Sequence, residues 1–222
     1  MLLAIDTSTS TISIAVHDGV TVLGEKTWLS RNRHTTILAG AVKTLLEELT
    51  LDKNKLSAIA VAAGPGSFTS LRVGMAFAKG LALGLEVPMI SVPTLNVLAA
   101  AQPVNDLPLC TVLQAGRERL ATQFFMKDKT GWKADSEIAV FTADLLAESI
   151  ETPTTVCGEI NGDTRAFLKK QNKNIKLAAP AISLRRAGFL AEIAWKKFLK
   201  GDCSSLAEAA PIYLRTKDPI PD

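Results

Sequence analysis

At the centre of the sequence stands the run Gly64-Pro65-Gly66-Ser67-Phe68-Thr69-Ser70-Leu71-Arg72-Val73-Gly74. The apolar residues before it, 56–63, predict a buried strand, which the glycines and the proline then end. A helix is expected to follow, with either Ser67 or Thr69 as its N-cap. A strand, a glycine loop and a helix N-terminus in this order direct backbone N–H groups at one position, which favours an anion there.

The predicted helix continues to Leu85 and carries small residues on two stripes. Each interior glycine lowers helix propensity by about 1 kcal/mol relative to alanine, so neighbouring segments are expected to approach the helix closely. The two stripes are compatible with packing against this chain and a second chain, or with internal packing on both sides. Periodicity leaves both alternatives open. The first stripe comprises Ser70, Gly74, Ala78 and Ala82, and the second comprises Ala76, Gly80 and Gly84.

Composition bounds the class of protein. The chain has 222 residues, 47% of them hydrophobic, and a net charge of only +3 without a long basic run, which argues against a primary nucleic-acid binder. The widely spaced Cys110, Cys157 and Cys203 argue against a disulfide framework or a zinc site. The sequence contains no uninterrupted apolar stretch of about 18 residues, so we predict no membrane span. We therefore expect a cytoplasmic protein with reduced thiols.

The chain opens with a predicted three-stranded meander. Residues 2–6 form its first strand, and Asp18-Gly19 predicts the hairpin between the second and third strands. Asp6, Thr7 and Ser8 follow the first strand, where they could hold a phosphate or a metal-bound water. They could also simply hydrogen-bond the turn backbone, and these three residues taken alone favour that interpretation.

The order of predicted elements divides the chain into two lobes, 1–106 and 107–222. The second repeats the order of the first in abbreviated form, and its tail is expected to pack back on the first lobe. Residues 182–200 predict an amphipathic helix that includes Arg185 and Arg186 among its charged residues and ends at Gly201.

Two histidines offer little for a metal or catalytic site. His34 precedes a predicted helix, and His17 lies at the hairpin. Neither has a metal ligand at a suitable spacing, and no HExxH motif is present. We therefore expect no metal site and no catalytic residue, and we interpret His34 as a solvated or partner-contacting side chain.

These motifs resemble the TsaB (YeaZ) family over essentially the whole chain, most densely up to Leu95. The long GPGSFTxLRxG pattern carries most of the specificity. The matching residues are 3–8, 64–69, Leu71, Arg72, Gly74, 78–82, Ser91, Val92, Thr94, Leu95, Pro211 and 213–215.

The resemblance implies an actin/Hsp70/sugar-kinase-like (ASKHA) α/β fold of two related lobes, the second abbreviated. It implies a role in forming N6-threonylcarbamoyladenosine at position 37 of tRNAs that read codons starting with A. In that family TsaB is a non-catalytic relative of TsaD, which carries the metal and transfers the threonylcarbamoyl group. TsaB binds TsaD through first-lobe helices, TsaE joins the pair, and TsaB alone forms homodimers. We expect only indirect or weak contact with tRNA and no cofactor of its own, with any ATP or ADP contact arising in the assembled complex.

On the helices and loops that the resemblance brings into view, we select candidate site residues. The predicted partner-binding residues are Ile37, Leu38, Ala41, Leu45, Leu71, Met75, Ala78 and Ala82. The predicted vestigial phosphate loop comprises Asp6, Thr7, Ser8, Gly64, Gly66, Ser67 and Thr69. The sequence departs from the family at Ser70, where glycine is usual, and at 114–117, where many members have an Asp-Ala-Arg run. The second departure removes a carboxylate and so argues against Mg-nucleotide binding by this chain alone.

Two other functions remain as alternatives. A small ATP-dependent kinase or ATPase of the same fold would use Asp6 to position Mg²⁺, but phosphoryl transfer needs metal-binding carboxylates on both lobes. The second lobe offers only Gly158-Glu159 in place of an acidic glycine turn. A metalloprotease is disfavoured by the two isolated histidines.

Overall fold

The computed structural model describes residues 1–31, 33–116 and 118–214. Arg117 and Arg215, which belong to the motifs compared above, lie outside these ranges, as does the Pro-rich tail over 216–222. The described residues separate into two compact units, the first formed by residues 1–97 and 185–211 and the second by residues 98–184 and 212–214. Each unit contains a β-sheet covered by helices.

The sheet of the first unit has the strand order β3-β2-β1-β4-β5. Its strands β1 and β4 are parallel and buried throughout, as continuous apolar runs predict for central strands with both faces covered. The meander is confirmed, because β1 and β3 both pair antiparallel with β2. The five strands are β1 (Leu2–Asp6), β2 (Thr11–His17), β3 (Val22–Leu29), β4 (Ala58–Ala62) and β5 (Met89–Val92).

Helices cover both faces of this sheet. Helix α6 (Ala187–Leu199) packs on a face rich in alanine, which includes Ala4, Ala15 and Ala60. Successive side chains of a strand point to opposite faces. Ile5 and the other residues that alternate with these alanines therefore point to the opposite side of the sheet. That side is contacted by α1 (His34–Glu48) and α2 (Phe68–Leu85). Helix α3 (Thr94–Ala100) follows β5 and spans the boundary between the units.

The sheet of the second unit has the order β11-β10-β6-β7-β8, with β9 paired to β7. Its core contains apolar residues of two central strands and two covering helices, among them Val112, Leu146, Val156 and Leu168. The elements are β6 (Leu109–Gln114), β7 (Leu120–Asp128), β8 (Gly131–Ala134), β9 (Ala139–Phe141), α4 (Ala143–Ser149), β10 (Thr154–Glu159), α5 (Gly162–Gln171) and β11 (Ile175–Leu177).

The observed division differs from the predicted lobes 1–106 and 107–222. Residues 185–211 belong to the first unit because α6 packs on its sheet, and Ser204 pairs with Met89 at the edge strand β5. The helix predicted over 182–200 is also shorter, because it begins only at Ala187 after an extended Arg186. Within the described ranges, no helix is long and apolar enough to cross a membrane.

Candidate functional site

The turn after β1 and the glycine loop after β4 lie side by side, because these strands are parallel neighbours. The Ser67 backbone N–H donates a hydrogen bond to the Ser8 carbonyl over 2.7 Å. A Cβ atom on Gly66 would lie 2.2 Å from the Ser8 carbonyl oxygen, so only glycine permits this approach. The structure therefore brings together the residues predicted as a phosphate loop, and the two loops contact each other directly.

Side-chain hydroxyls join the two loops. The Ser8 Oγ and Thr94 Oγ1 atoms lie 2.8 Å apart, and the Gly64 N–H donates to Thr94 Oγ1 over 3.0 Å. Thr7 Oγ1 donates to the Ser70 carbonyl of α2 over 2.8 Å. These contacts agree with the simpler interpretation of the turn, in which Thr7 and Ser8 bond to the surrounding fold.

The N-cap of α2 is Ser67, one of the two residues predicted. Its side chain makes no capping bond to the backbone and instead accepts from the Ser70 hydroxyl over 3.1 Å. Thr69 is exposed and lies inside the helix.

Asp6 forms a buried ion pair with Arg185, and both side chains are 0% exposed. Asp6 Oδ1 accepts from the Ser8 N–H over 2.8 Å and from the Arg185 guanidinium. Arg185 also donates to Thr9 Oγ1 and, over 3.0 Å, to the Thr11 carbonyl. Sequence reasoning missed this pair because Arg185 fits the polar side of an amphipathic pattern and lies 179 positions from Asp6.

His34 is buried, which corrects its interpretation as a solvated or partner-contacting residue. Its Nε2 lies 2.8 Å from the Thr9 carbonyl. The pKa of His34 is lowered, mainly by burial. The hydrogen bond with the Thr9 carbonyl acts to raise this pKa, and the positive charge of Arg185 acts to lower it. The neutral ring can donate its Nε2–H to that carbonyl. His34 also lines a cavity of about 350 Å³ together with Thr35, Ser67, Thr69, Ser70 and Val73.

Candidate metal ligands and thiols are dispersed over the described part of the chain. Across residues 1–31, 33–116 and 118–214, no cluster of three or more His, Cys, Asp or Glu side chains could hold a metal ion. In the second unit, the Gln114 side chain is exposed and donates to the Gly116 carbonyl. Burial raises the pKa of the Cys110 thiol and raises that of Cys157 to about 12, so neither is an activated nucleophile.

The partner-binding residues predicted on α2 lie on its buried face, so that prediction is wrong as to the side of the helix. Ala78 is 0% exposed and Leu71 1%, because this face packs towards β4. Met75 and Ala82 are buried with them, as are Leu38 and Leu45 of α1, while Ile37 and Ala41 are half-buried.

The opposite face of α2 is open to solvent. We call it the α2 outer face, formed by Ala76, Gly80, Leu83 and Gly84, which are all exposed. The Leu83 side chain is 72% exposed. A Cβ atom added to Gly80 or Gly84 would meet no atom within 4 Å. The second stripe of small residues is therefore the one that the described part of this chain leaves uncovered.

Comparisons with known proteins identify the family of this chain. The family model for TsaD, the tRNA N6-adenosine threonylcarbamoyltransferase, matches residues 25–184. The tRNA threonylcarbamoyladenosine biosynthesis protein TsaB of Haemophilus influenzae is 29% identical over an alignment that covers 97% of this chain and 94% of that protein. The chain belongs to the TsaB (YeaZ) family.

The TsaB fold is also recognised among solved structures. YeaZ from Pseudomonas aeruginosa superposes with a TM-score of 0.76 at 23% identity, covering 96% of this chain and 99% of that one. An activator of the 2-hydroxyisocaproyl-CoA dehydratase from Clostridium difficile, solved with bound ADPNP, shares the fold with a TM-score of 0.54 at 10% identity, over 90% of this chain and 96% of that one. The predicted actin/Hsp70/sugar-kinase-like α/β fold is thereby confirmed for this TsaB-family chain.

Proposed function

We propose that this chain is a non-catalytic scaffold subunit in the biosynthesis of N6-threonylcarbamoyladenosine in tRNA. It binds a catalytic TsaD subunit, TsaE joins the assembled complex, and the chain alone forms homodimers. It carries no cofactor of its own, meets ATP or ADP only in the assembled complex, and contacts tRNA only indirectly or weakly. It acts in the cytoplasm. Membership of the TsaB family and the names of its relatives support this role.

The observation that carries the proposal is the α2 outer face. The distance between packed helices depends on the side chains at their contact, so small residues allow a second helix to approach closely. Gly80 and Gly84 leave the backbone of α2 accessible, and Leu83 supplies an exposed apolar side chain beside them. The half-buried Ile37 and Ala41 of α1, which packs beside α2, are candidates for the rim of the contact.

A TsaD chain suits this face because TsaD and this chain are related. The TsaD family model matches residues 25–184, which include both α1 and α2. Two related folds can pair equivalent helices about a pseudo-two-fold axis, and two copies of one chain can do the same about a true two-fold axis. One face can thus serve the homodimer and the heterodimer in turn.

The test replaces Ala76 of the α2 outer face by arginine and compares it with a matched control. Ala166 is likewise an exposed alanine inside a helix, α5 of the second unit, so Ala166→Arg makes the same chemical change elsewhere. We expect Ala76→Arg to lose co-elution with TsaD in size-exclusion chromatography and Ala166→Arg to retain it. Equal thermal unfolding of the two variants would show that both are folded.

The modified nucleoside gives the functional readout. Cells that carry Ala76→Arg as their only copy should lose N6-threonylcarbamoyladenosine from tRNA, and cells with Ala166→Arg should keep it. Normal co-elution and normal modification with a folded Ala76→Arg variant would refute the assignment of this face.

A small ATPase is the alternative function, and Asp6 argues against it. Phosphoryl transfer needs carboxylates that can hold Mg²⁺. Asp6 is the carboxylate at the end of β1, and it is buried against Arg185. The purified chain should therefore hydrolyse ATP no faster than an Asp6→Asn variant; robust turnover by the unaltered chain alone, lost in that variant, would favour the ATPase.

A further inference from the structure

Three oxygen atoms of the turn between β1 and β2 surround one positive group. They come from the Asp6 carboxylate, the Thr9 hydroxyl and the Thr11 backbone carbonyl, and all three accept hydrogen bonds from the Arg185 guanidinium. Carboxylate and carbonyl oxygens are the ligands that hard divalent cations prefer. The turn thus has the donor set of a cation site, with an arginine inside it.

Asp6 retains unused acceptor capacity in this arrangement. Its Oδ2 atom is buried and has no hydrogen-bond partner among the described residues. A buried carboxylate is costly unless a positive group compensates it, and Arg185 supplies that charge as a permanently protonated guanidinium. The carboxylate would be available to a metal ion only if this guanidinium left.

The backbone after Arg185 is fixed to the same sheet. The Ala187 N–H donates to Ser13 Oγ over 2.8 Å, and the Gly188 N–H donates to the Glu25 side chain over 2.9 Å. These bonds hold the start of α6 against β2 and β3. The guanidinium is thereby tethered beside Asp6, where a free ion would have to compete with a group of very high effective concentration.

A neighbour of the same fold binds a nucleotide, and the residues of this turn do not fit that group. The Clostridium difficile activator of the same fold was solved with bound ADPNP. In this chain Asp6 is paired with Arg185, and the Ser67 N–H of the facing loop is bonded to the Ser8 carbonyl.

We propose that Arg185 is a tethered cation that fills a divalent-cation position in the β1–β2 turn and excludes metal ions from it. Removing the guanidinium then creates a metal site on Asp6, Thr9 and Thr11. This inference does not depend on TsaD binding, and its test uses the purified full chain alone.

The experiment compares three variants by thermal unfolding during titration with Mn²⁺, which serves as the probe. Arg185→Met removes the charge and keeps an unbranched side chain, so its unfolding temperature should rise steadily with each tenfold increase in Mn²⁺, as for any ligand that binds only the native state. The double variant Asp6→Asn with Arg185→Met should show no such rise. The unaltered chain and Arg185→Lys, which keeps a tethered cation, should not respond either.

Each result decides for or against the proposal. Arg185→Met that folds only when Mn²⁺ is present would support it, because an unpaired buried carboxylate then requires the metal. Arg185→Met that folds without responding to Mn²⁺, or that stays unfolded at every Mn²⁺ concentration, would overturn it. An equal response from the double variant would also overturn it, because the site would then not use the Asp6 carboxylate.

Discussion

Two glycines of α2 that lie six positions apart should respond in opposite ways to the same substitution. Gly74 belongs to the buried stripe and Gly80 to the α2 outer face. Alanine at either position should gain about 1 kcal/mol of helix propensity. Because a Cβ at Gly80 meets no atom within 4 Å, Gly80→Ala should raise the free energy of unfolding by about that amount.

Gly74→Ala meets Thr7 instead. The new Cβ would lie 2.1 Å from Thr7 Oγ1, and 3.3 Å from both Cβ and Cγ2 of the same residue. Turning Thr7 about χ1 would relieve the contact only by breaking its hydrogen bond to the Ser70 carbonyl, a loss of about 1 kcal/mol. Overpacking adds about 1–3 kcal/mol. After the gain in propensity, we expect Gly74→Ala to lower the free energy of unfolding by about 1–3 kcal/mol.

Urea titration of the purified variants, diluted until each is monomeric and followed by circular dichroism, measures both changes. The slope of the free energy against urea should stay constant, so the midpoints report stability directly. Gly80→Ala should unfold at higher urea than the unaltered chain and Gly74→Ala at lower urea. A midpoint for Gly74→Ala equal to or above that of Gly80→Ala would refute the assignment of the two faces of α2.

Two further predictions concern thiols and pH. Because Cys110 and Cys157 are buried, a thiol reagent should label only Cys203 in the native chain and all three cysteines after unfolding. Rapid labelling of a second thiol in the native chain would contradict the described core. Because burial lowers the pKa of His34, the native state binds fewer protons there than the unfolded state, so this residue contributes a loss of stability as pH falls below about 6.5. In urea unfolding at pH 7 and pH 5, His34→Gln should lose less stability on acidification than the unaltered chain, and an equal loss would contradict the assignment.

Local patterns predicted the central elements of the first unit well. Strands β1 and β4 are continuous apolar runs, the hairpin after His17 has an Asp-Gly signal, and α2 follows a glycine loop with a serine cap position. The short strands β8, β9 and β11 of the second unit were missed. They have three or four residues each, too few for a period-two pattern to stand out from loops.

Contacts between distant parts of the chain account for the larger errors. Both stripes of α2 consist of small residues, so periodicity separated the two faces without showing which one is buried. The buried face is the one where Gly74 lies against Thr7. These two residues are far apart in the sequence, so no local pattern predicts their contact. The amphipathic pattern likewise places Arg185 on a helical surface, because charged residues are ordinarily solvated. Its partner Asp6 lies at the other end of the sequence, so no local pattern indicates that Arg185 is buried.

The return of residues 185–211 to the first unit has a consequence for synthesis on the ribosome. The alanine face of the first sheet is complete once β5 has been made, yet its cover, α6, emerges only after residues 98–184 of the second unit. Until then, a nascent chain exposes an apolar surface that includes Ala4, Ala15 and Ala60, and chaperones that bind such surfaces can recognise it. Translation that stops before Ala187 would leave that surface permanently bare, which makes the prematurely ended product a substrate for aggregation or proteolysis.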